Sequence, residues 1–202
     1  MPRILFALVC WIGVAGFAGF AAAQAPERAK VTFAGGCFWC TEADFDKVAG
    51  VISTMSGYIG GRTPKPTYQQ VSAGGTGHAE AVEIVYDPKQ VSFEQLLDVY
   101  WKSIDPLAKD RQFCDSGDQY RTAIFFHSDE QRRLAEASKK KIEARFPGRV
   151  IFTQIAAAGA FTKAEDYHQD FHLKNPTKYK FYRWNCGRDQ RLEQLWGKKG
   201  ES

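Results

Sequence analysis

Apolar positions along the chain switch between two periods, and the switches mark its elements. Residues 31–34 form a brief β-prone run that halts at Gly35-Gly36. From 38 to 48, Phe38, Phe45 and Val48 stand among Glu42, Asp44 and Asp46, the pattern of a helix with one wet face, and Gly50 stops it. Residues 51–59 predict a strand, followed by a Gly- and Pro-rich loop over 60–66 and a turn cluster over 72–77. The alternating run 79–86 is another strand. Ser92, with Gln95 three residues on, opens a helix through a capping box; that helix carries Leu96, Leu97, Val99, Tyr100 and Trp101 and ends before Pro106. A polar stretch to Asp118 leads into a strand at 120–127 with an apolar middle. Ser128 caps a charged helix reaching residue 145, and 150–155 predicts a last strand. The aromatic-rich tail, 163–197, reads as irregular.

Strands and helices alternate, yet two strand-to-strand connections carry no helix. That favours an α+β fold over a doubly wound parallel sheet: a two-layer sandwich with a mixed sheet packed by helices, plus an irregular C-terminal tail. A length of 202 residues suits a single domain with its own core.

The first residues belong to no such domain. Arg3 precedes an apolar run over 4–20, and Ala21 and Ala23 place small residues before a cleavage point at Gln24, the layout of a secretory signal peptide. Residues 1–23 are therefore expected to be removed with Cys10, leaving a domain over 24–202 that is periplasmic or secreted. The apolar run exceeds the usual signal core, so an uncleaved N-terminal helix anchoring the chain is the alternative. Charge adds little. The net value of +4 is scattered, and the run of three at Lys139, Lys140 and Lys141 reads as a solvated helix face, not as a nucleic-acid stripe.

Export changes how the remaining cysteines read. Cys37, Cys40, Cys114 and Cys186 suggest disulfides in an oxidising compartment, yet a domain of this size does not need them as staples. Gly35-Gly36-Cys37-Phe38-Trp39-Cys40 places Cys37 where a strand hands over to a helix. Free amides and the positive helix end there favour a thiolate, and two glycines leave room for a substrate. A structural disulfide, a thioredoxin-like dithiol pair and a zinc site are the competing readings; lone, distant Cys114 and Cys186 make zinc the weakest. His78-Ala79-Glu80 is not the zinc-deaminase element, because its Cys-x-x-Cys comes first and lacks a preceding Pro. Glu80 stands at a strand start after a glycine-rich loop, where a carboxyl can hold a site edge. His168 and His172 are four apart, but Gln169 replaces the Glu of a zinc protease, and the pair reads as helix surface or packing.

Six separated motifs together resemble the A-type peptide methionine sulfoxide reductases, over about residues 31–187. They are Gly-Gly-Cys-Phe-Trp at 35–39, Ser-Gly-Tyr-Ile-Gly-Gly at 56–61, Pro-Thr-Tyr at 66–68, Gly-His-Ala-Glu at 77–80, Asp115 with Gln-Tyr-Arg at 119–121, and Ala-Glu-Asp-Tyr-His-Gln at 164–169 with Lys-Asn-Pro at 174–176. The resemblance implies that Cys37 attacks the sulfoxide sulfur and Glu80, kept protonated, acts as general acid. Tyr68, Tyr120 and Asp115 would hydrogen-bond the oxygen or a nearby water. Phe38, Trp39 and His168 would form the substrate wall, the first two receiving the methyl group. The sulfenic acid left on Cys37 condenses with a second thiol.

The family acts on the S epimer, free or in peptides, with no metal or organic cofactor. The implied partners are oxidised proteins, free methionine sulfoxide and a thioredoxin-like electron donor, without nucleic acid, for a monomeric enzyme. The chain departs from the common pattern at Cys40, where many members have Gly, at Phe171, where Tyr is frequent, and at Cys186, which comes late after Asn-Pro. The resolving thiol is thus open: Cys186 leads, then Cys40 by proximity, then Cys114. A dithiol oxidoreductase using Cys37 and Cys40, or a non-catalytic secreted module with two structural disulfides, would be the alternatives.

Overall fold

A computed structural model describes residues 28–198. The segment read as a signal peptide or anchor lies outside the described residues, as does Cys10. Among the described residues no helix is long and apolar enough to cross a membrane.

The elements follow the hydrophobic pattern closely in the first two thirds of the chain. They are β1 (Ala29–Gly35), α1 (Phe38–Phe45), β2 (Val51–Ile59), α2 (Tyr68–Ser72), β3 (Ala79–Tyr86), α3 (Phe93–Lys102), β4 (Arg111–Gln112), β5 (Asp115–Ser116), β6 (Thr122–Phe126), α4 (Asp129–Arg145), β7 (Gln154–Ala157) and β8 (Thr162–Lys163). The capping box forms as expected, with Ser92 accepting from the Gln95 amide. A second one, Thr67 with Gln70, starts the short helix α2 inside a connection expected to be loop.

The main sheet has six strands in the order β7-β6-β1-β3-β2-β8, antiparallel throughout except for β6 and β7. This is the mixed sheet of an α+β fold. Strand β7 starts later than its apolar run, because residues 152 and 153 make bonds other than the backbone ladder of the sheet. There the Phe152 amide donates to Pro106 O, and the Thr153 hydroxyl meets that of Thr122 at 3.0 Å.

Alternation along the strands sorts the two faces by size. Val31, Phe33, Val82, Ile84, Tyr86 and Ile124 point toward α1, α3 and α4, joining Phe45, Leu96, Leu97 and Tyr100 in the main core. Phe33 stacks between Phe45 and Tyr100 at 5.2 and 4.6 Å. Burying each such side chain stabilises the fold by about 1.5–3 kcal/mol. The other face is mostly alanine, with Ala34, Ala79, Ala81 and Ala123 beside Ile59 and Phe125, and no large side chain is needed because Ala156, Ala158 and Phe161 cover it. Position 80 shares the helix-side face with 82, 84 and 86. A carboxyl at Glu80 is therefore sent inward.

The tail is more regular than its sequence suggests. It forms α5 (Phe171–Lys174), α6 (Pro176–Asn185) and α7 (Arg188–Trp196), with Pro176 in the first turn of α6 and Gly187, at φ +66°, linking α6 to α7. Side chains dock these helices onto the body. Arg183 pairs with Asp44 at 3.1 Å, Arg191 with Asp105 at 2.8 Å, and the Trp196 indole donates to Ile104 O.

One buried acid of α1 should make stability depend on pH. Glu42 accepts from the Asp170 amide at 2.9 Å, while its other oxygen has no partner. Burial, then the charges of Asp46 and Asp170, push its carboxyl from 4.5 up to about 7. A folded value above the unfolded one means the contribution to stability is full below 4.5 and is lost as pH rises through 7. Glu42→Gln is expected to raise Tm at pH 8 by about 3–6 °C relative to the parent chain, with little change at pH 4, read by thermal unfolding.

Candidate active site

The turn from β1 to α1 is built around backbone that only glycine fits. Gly36 has φ +83°, and a Cβ there would lie 2.5 Å from Gln112 Cβ. Cys37 follows as the residue capping α1, with no side-chain cap bond of its own. The first amide of the helix, on Phe38, instead donates to Glu80 Oε2 at 3.1 Å. That bond brings the inward-facing carboxyl of β3 against the nucleophile turn. Register supports it, since Tyr58 of β2 pairs with Glu80.

Burial then sets the charges. Glu80 is 2% exposed. Desolvation, offset in part by the Phe38 amide and reinforced by Asp115 and Cys40, moves its carboxyl from 4.5 to about 8, so at neutral pH it carries a proton it can donate. Cys37, 6% exposed, does not have the lowered thiol expected from the helix end. Burial, then Cys40, Glu80 and Asp115, raise it well above its ordinary value. Desolvation beside acidic groups outweighs the helix end here. The acidic thiol of the pair is Cys40, drawn down to about 7 by its hydrogen bond to Cys37 and by Arg188 and Arg183, against the pull of burial.

The remaining expected residues converge on the same place. Tyr68, at the start of α2, and Tyr120, in a single 3₁₀ turn at Asp118–Tyr120, are half-buried. Burial raises both phenols, Tyr68 to about 12, and the charges of Glu80, Cys37 and Asp115 act on each, which places the five groups together. Asp115 of β5 is raised by burial and pulled back by the Tyr182 hydroxyl and by Arg188.

Phe38 is 1% exposed and lies in the core beneath the site, whereas half-buried Trp39 stacks on Phe171 at 3.7 Å. The aromatic ring often found as Tyr at position 171 is thus kept as a stacking partner. His168 lies in a turn and not on a helix shared with His172; it is buried, takes the Trp39 indole N–H on Nδ1 at 3.0 Å, and is kept neutral chiefly by burial. His172, on α5, lies 3.4 Å from Asp46. His78 ties the glycine-rich loop together through the Gly61 amide and Thr63 O.

Cys114 and Cys186 form a disulfide across 72 residues, with Cα atoms 4.9 Å apart, while Cys37 and Cys40 are free and buried. Among the described residues there is thus one disulfide, not the two of a module stapled by its cysteines. In this state Cys186, the leading candidate to resolve a sulfenic acid, is already bonded to Cys114. The free thiol beside Cys37 is Cys40. Among the described residues, Cys114, Asp115 and Cys186 are the group spaced to hold a metal, but the two sulfurs are bonded to each other.

Sequence reasoning missed three positioning residues. Glu165 accepts from the Tyr58 hydroxyl and the Tyr68 amide, both at 2.8 Å, and so fixes Tyr68. Arg188, 2% exposed, donates to Gly35 O and Ser103 O beneath the nucleophile turn and lies over the Phe113 ring at 4.5 Å. Tyr182 donates to Asp115 Oδ2. The spacing of Tyr182 and Cys186, one helical turn, was the available signal for the last.

Two free thiols in one helical turn, facing a protonated carboxyl, place this molecule among cysteine-based oxidoreductases. Residues 29–200 match the pattern described as Peptide methionine sulfoxide reductase, and the chain belongs to that family. It is 50% identical over 177 residues to Peptide methionine sulfoxide reductase MsrA of Bacillus licheniformis, covering 87% of this chain and 98% of that one. Among solved structures, Mxr1 of Saccharomyces cerevisiae in reduced form superposes with a TM-score of 0.72 at 30% identity, over 77% of this chain and 90% of that one. Methionine sulfoxide reductase A of Corynebacterium diphtheriae gives 0.67 at 37% identity, over 75% and 76%.

Proposed function

We propose that this chain reduces the S epimer of methionine sulfoxide, free or protein-bound, to methionine. The observation that carries the reading is the Phe38 amide bond to Glu80, which seats a protonated acid beside Cys37. The Cys37 sulfur attacks the sulfoxide sulfur while Glu80 gives its proton to the oxygen, with Tyr68 and Tyr120 as further donors. Oxygen passes to Cys37, leaving methionine and a sulfenic acid: substrate sulfur is reduced by two electrons and Cys37 oxidised by two. Trp39 walls the substrate side, its indole held by buried His168.

Recycling uses the other thiols. Cys40 attacks the sulfenic acid, forming the Cys37–Cys40 disulfide and releasing water. Both sulfurs are buried, so a protein donor cannot meet them directly, whereas Cys114 is exposed. Exchange with the Cys114 and Cys186 dithiol moves the disulfide outward, where a thioredoxin-like dithiol reduces it. Phe181 and Trp184, 63% and 69% exposed on α6, give that donor an apolar surface near the bond. Mxr1 has also been solved in complex with Trx2, at 22% identity to this chain and a TM-score of 0.53, a likeness of fold. The apolar run over 4–20 and the Ala21 to Ala23 cleavage pattern support an exported, periplasmic or secreted repair enzyme.

The test supplies dithiothreitol and each sulfoxide epimer of a blocked methionine. The S epimer should vanish and the R epimer remain; loss of neither, or of R alone, defeats the reading. With thioredoxin as sole reductant, Cys40→Ser should release about one methionine per chain and stop, as expected of a trapped sulfenic acid. Normal cycling by that variant would return the resolving role to Cys186.

A further inference from the structure

Tyr182 and its partner Asp115 have no part in the reaction above. Tyr182 lies on α6, yet its hydroxyl donates to Asp115 Oδ2 and its ring meets Trp39 edge-on at 5.7 Å. Burial, then the charges of Cys37 and Asp115, keep the phenol protonated, so it remains a donor. One turn further on, Cys186 ends α6 and is bonded to Cys114, the residue preceding Asp115. Residues four apart share a helix face, and here both reach one dipeptide, Cys114-Asp115. The covalent tie holds the Tyr182 hydroxyl at high effective concentration beside Asp115, so the contact is hard to displace.

We propose that Tyr182 is a further residue of the substrate site and acts as its internal occupant: while the Cys114–Cys186 bond stands, its hydroxyl fills the hydrogen-bonding position on Asp115, beside Cys37, that a polar group of the incoming sulfoxide residue takes. This rests on the function proposed above and orders its cycle. The disulfide state is the one awaiting the donor, and Cys37 is 6% exposed in it. When the donor dithiol reduces the bond, becoming a disulfide itself, the Cys186 end of α6 is released, although Arg183 still pairs with Asp44. Tyr182 then yields its place. Substrate is admitted only to a chain that holds the electrons to finish the turnover, and the sulfenic acid forms only where thiols stand ready to consume it.

The chain is prepared with the Cys114–Cys186 bond intact, after dithiothreitol reduction and removal, and as Cys114→Ser/Cys186→Ser. Alkylation of Cys37 by iodoacetamide is followed by peptide mass, alongside methionine formed from blocked methionine (S)-sulfoxide without added reductant. Alkylation should be about tenfold slower in the bonded form, and Tyr182→Ala should remove that difference while adding nothing in the unbonded forms. Tyr182→Phe, keeping the ring without the bond to Asp115, should fall between. Equal rates in bonded and unbonded chains overturn the proposal, as does a gain from Tyr182→Ala that is the same in both. Alkylation that follows the bond while no methionine forms in any sample leaves the occupant role standing and removes the proposed activity instead.

Discussion

Cys37→Ser is expected to abolish sulfoxide reduction, with no methionine formed even in a single turnover. A serine hydroxyl is a far weaker nucleophile and has no sulfur to accept oxygen as a sulfenic acid. Nothing else in the site substitutes. Cys40 has the more acidic thiol, but it lies one turn into α1 at 1% exposure, and the carboxyl meets the helix at Phe38, next to position 37. The measurement is methionine released per chain from the S epimer with dithiothreitol in excess. Retained turnover would mean that Cys40 is the attacking sulfur and that the pair has been assigned the wrong way round. Folding should survive, because a hydroxyl replaces a thiol of similar size; a Tm within about 3 °C of the parent checks this.

Glu80→Gln is the second large effect. The amide preserves the shape and can still meet the Phe38 N–H, but it has no proton to give the departing oxygen. Positioned acids contribute roughly 10²–10⁴ in rate, so kcat should fall by that factor, about 3–5 kcal/mol of barrier. The pH profile carries a sharper signature. Glu80 must be protonated to act and loses its proton near pH 8, so the parent activity should decline above that value. The residual activity of Glu80→Gln should lack this decline. Stability should move the opposite way: a folded value raised from 4.5 to about 8 costs stability as pH climbs between them, and the amide removes that cost. A variant more stable at pH 9 yet nearly inactive separates chemistry from folding. Unchanged kcat would remove Glu80 from the mechanism.

Much of this was legible in the residues because the signals were local. Strands at 51–59 and 79–86 and the Ser92 capping box are short-range patterns, and alternation alone sends Glu80 to the same face as Val82 and Ile84. Two glycines followed by Cys37 were enough to anticipate a strand-to-helix turn. The thiol charges were not legible in that way. A helix end is visible in sequence, but the burial that raises Cys37, and the charges of Glu80 and Asp115 that add to it, come from strands distant in the chain. Pairing across the fold was equally hidden: Cys114 and Cys186 are 72 residues apart, and lone cysteines carry no register. The tail misled for another reason. Its helices are short and expose Phe181 and Trp184, so they lack the one-sided stripe that marks a helix by period. His168 shows the same limit, since four-residue spacing to His172 suggested a shared helix that a left-handed turn at Asp170 interrupts.

The guanidinium of Arg188, bonded to Gly35 O across 153 positions, bears on how the molecule is made. On a chain emerging residue by residue from the ribosome, the reactive turn is written 153 positions ahead of its brace. Contacts so far apart along the sequence form late and slowly. The thiols therefore spend the synthesis of the intervening residues unbraced, and become a working pair only when α7, which opens with Arg188, has docked.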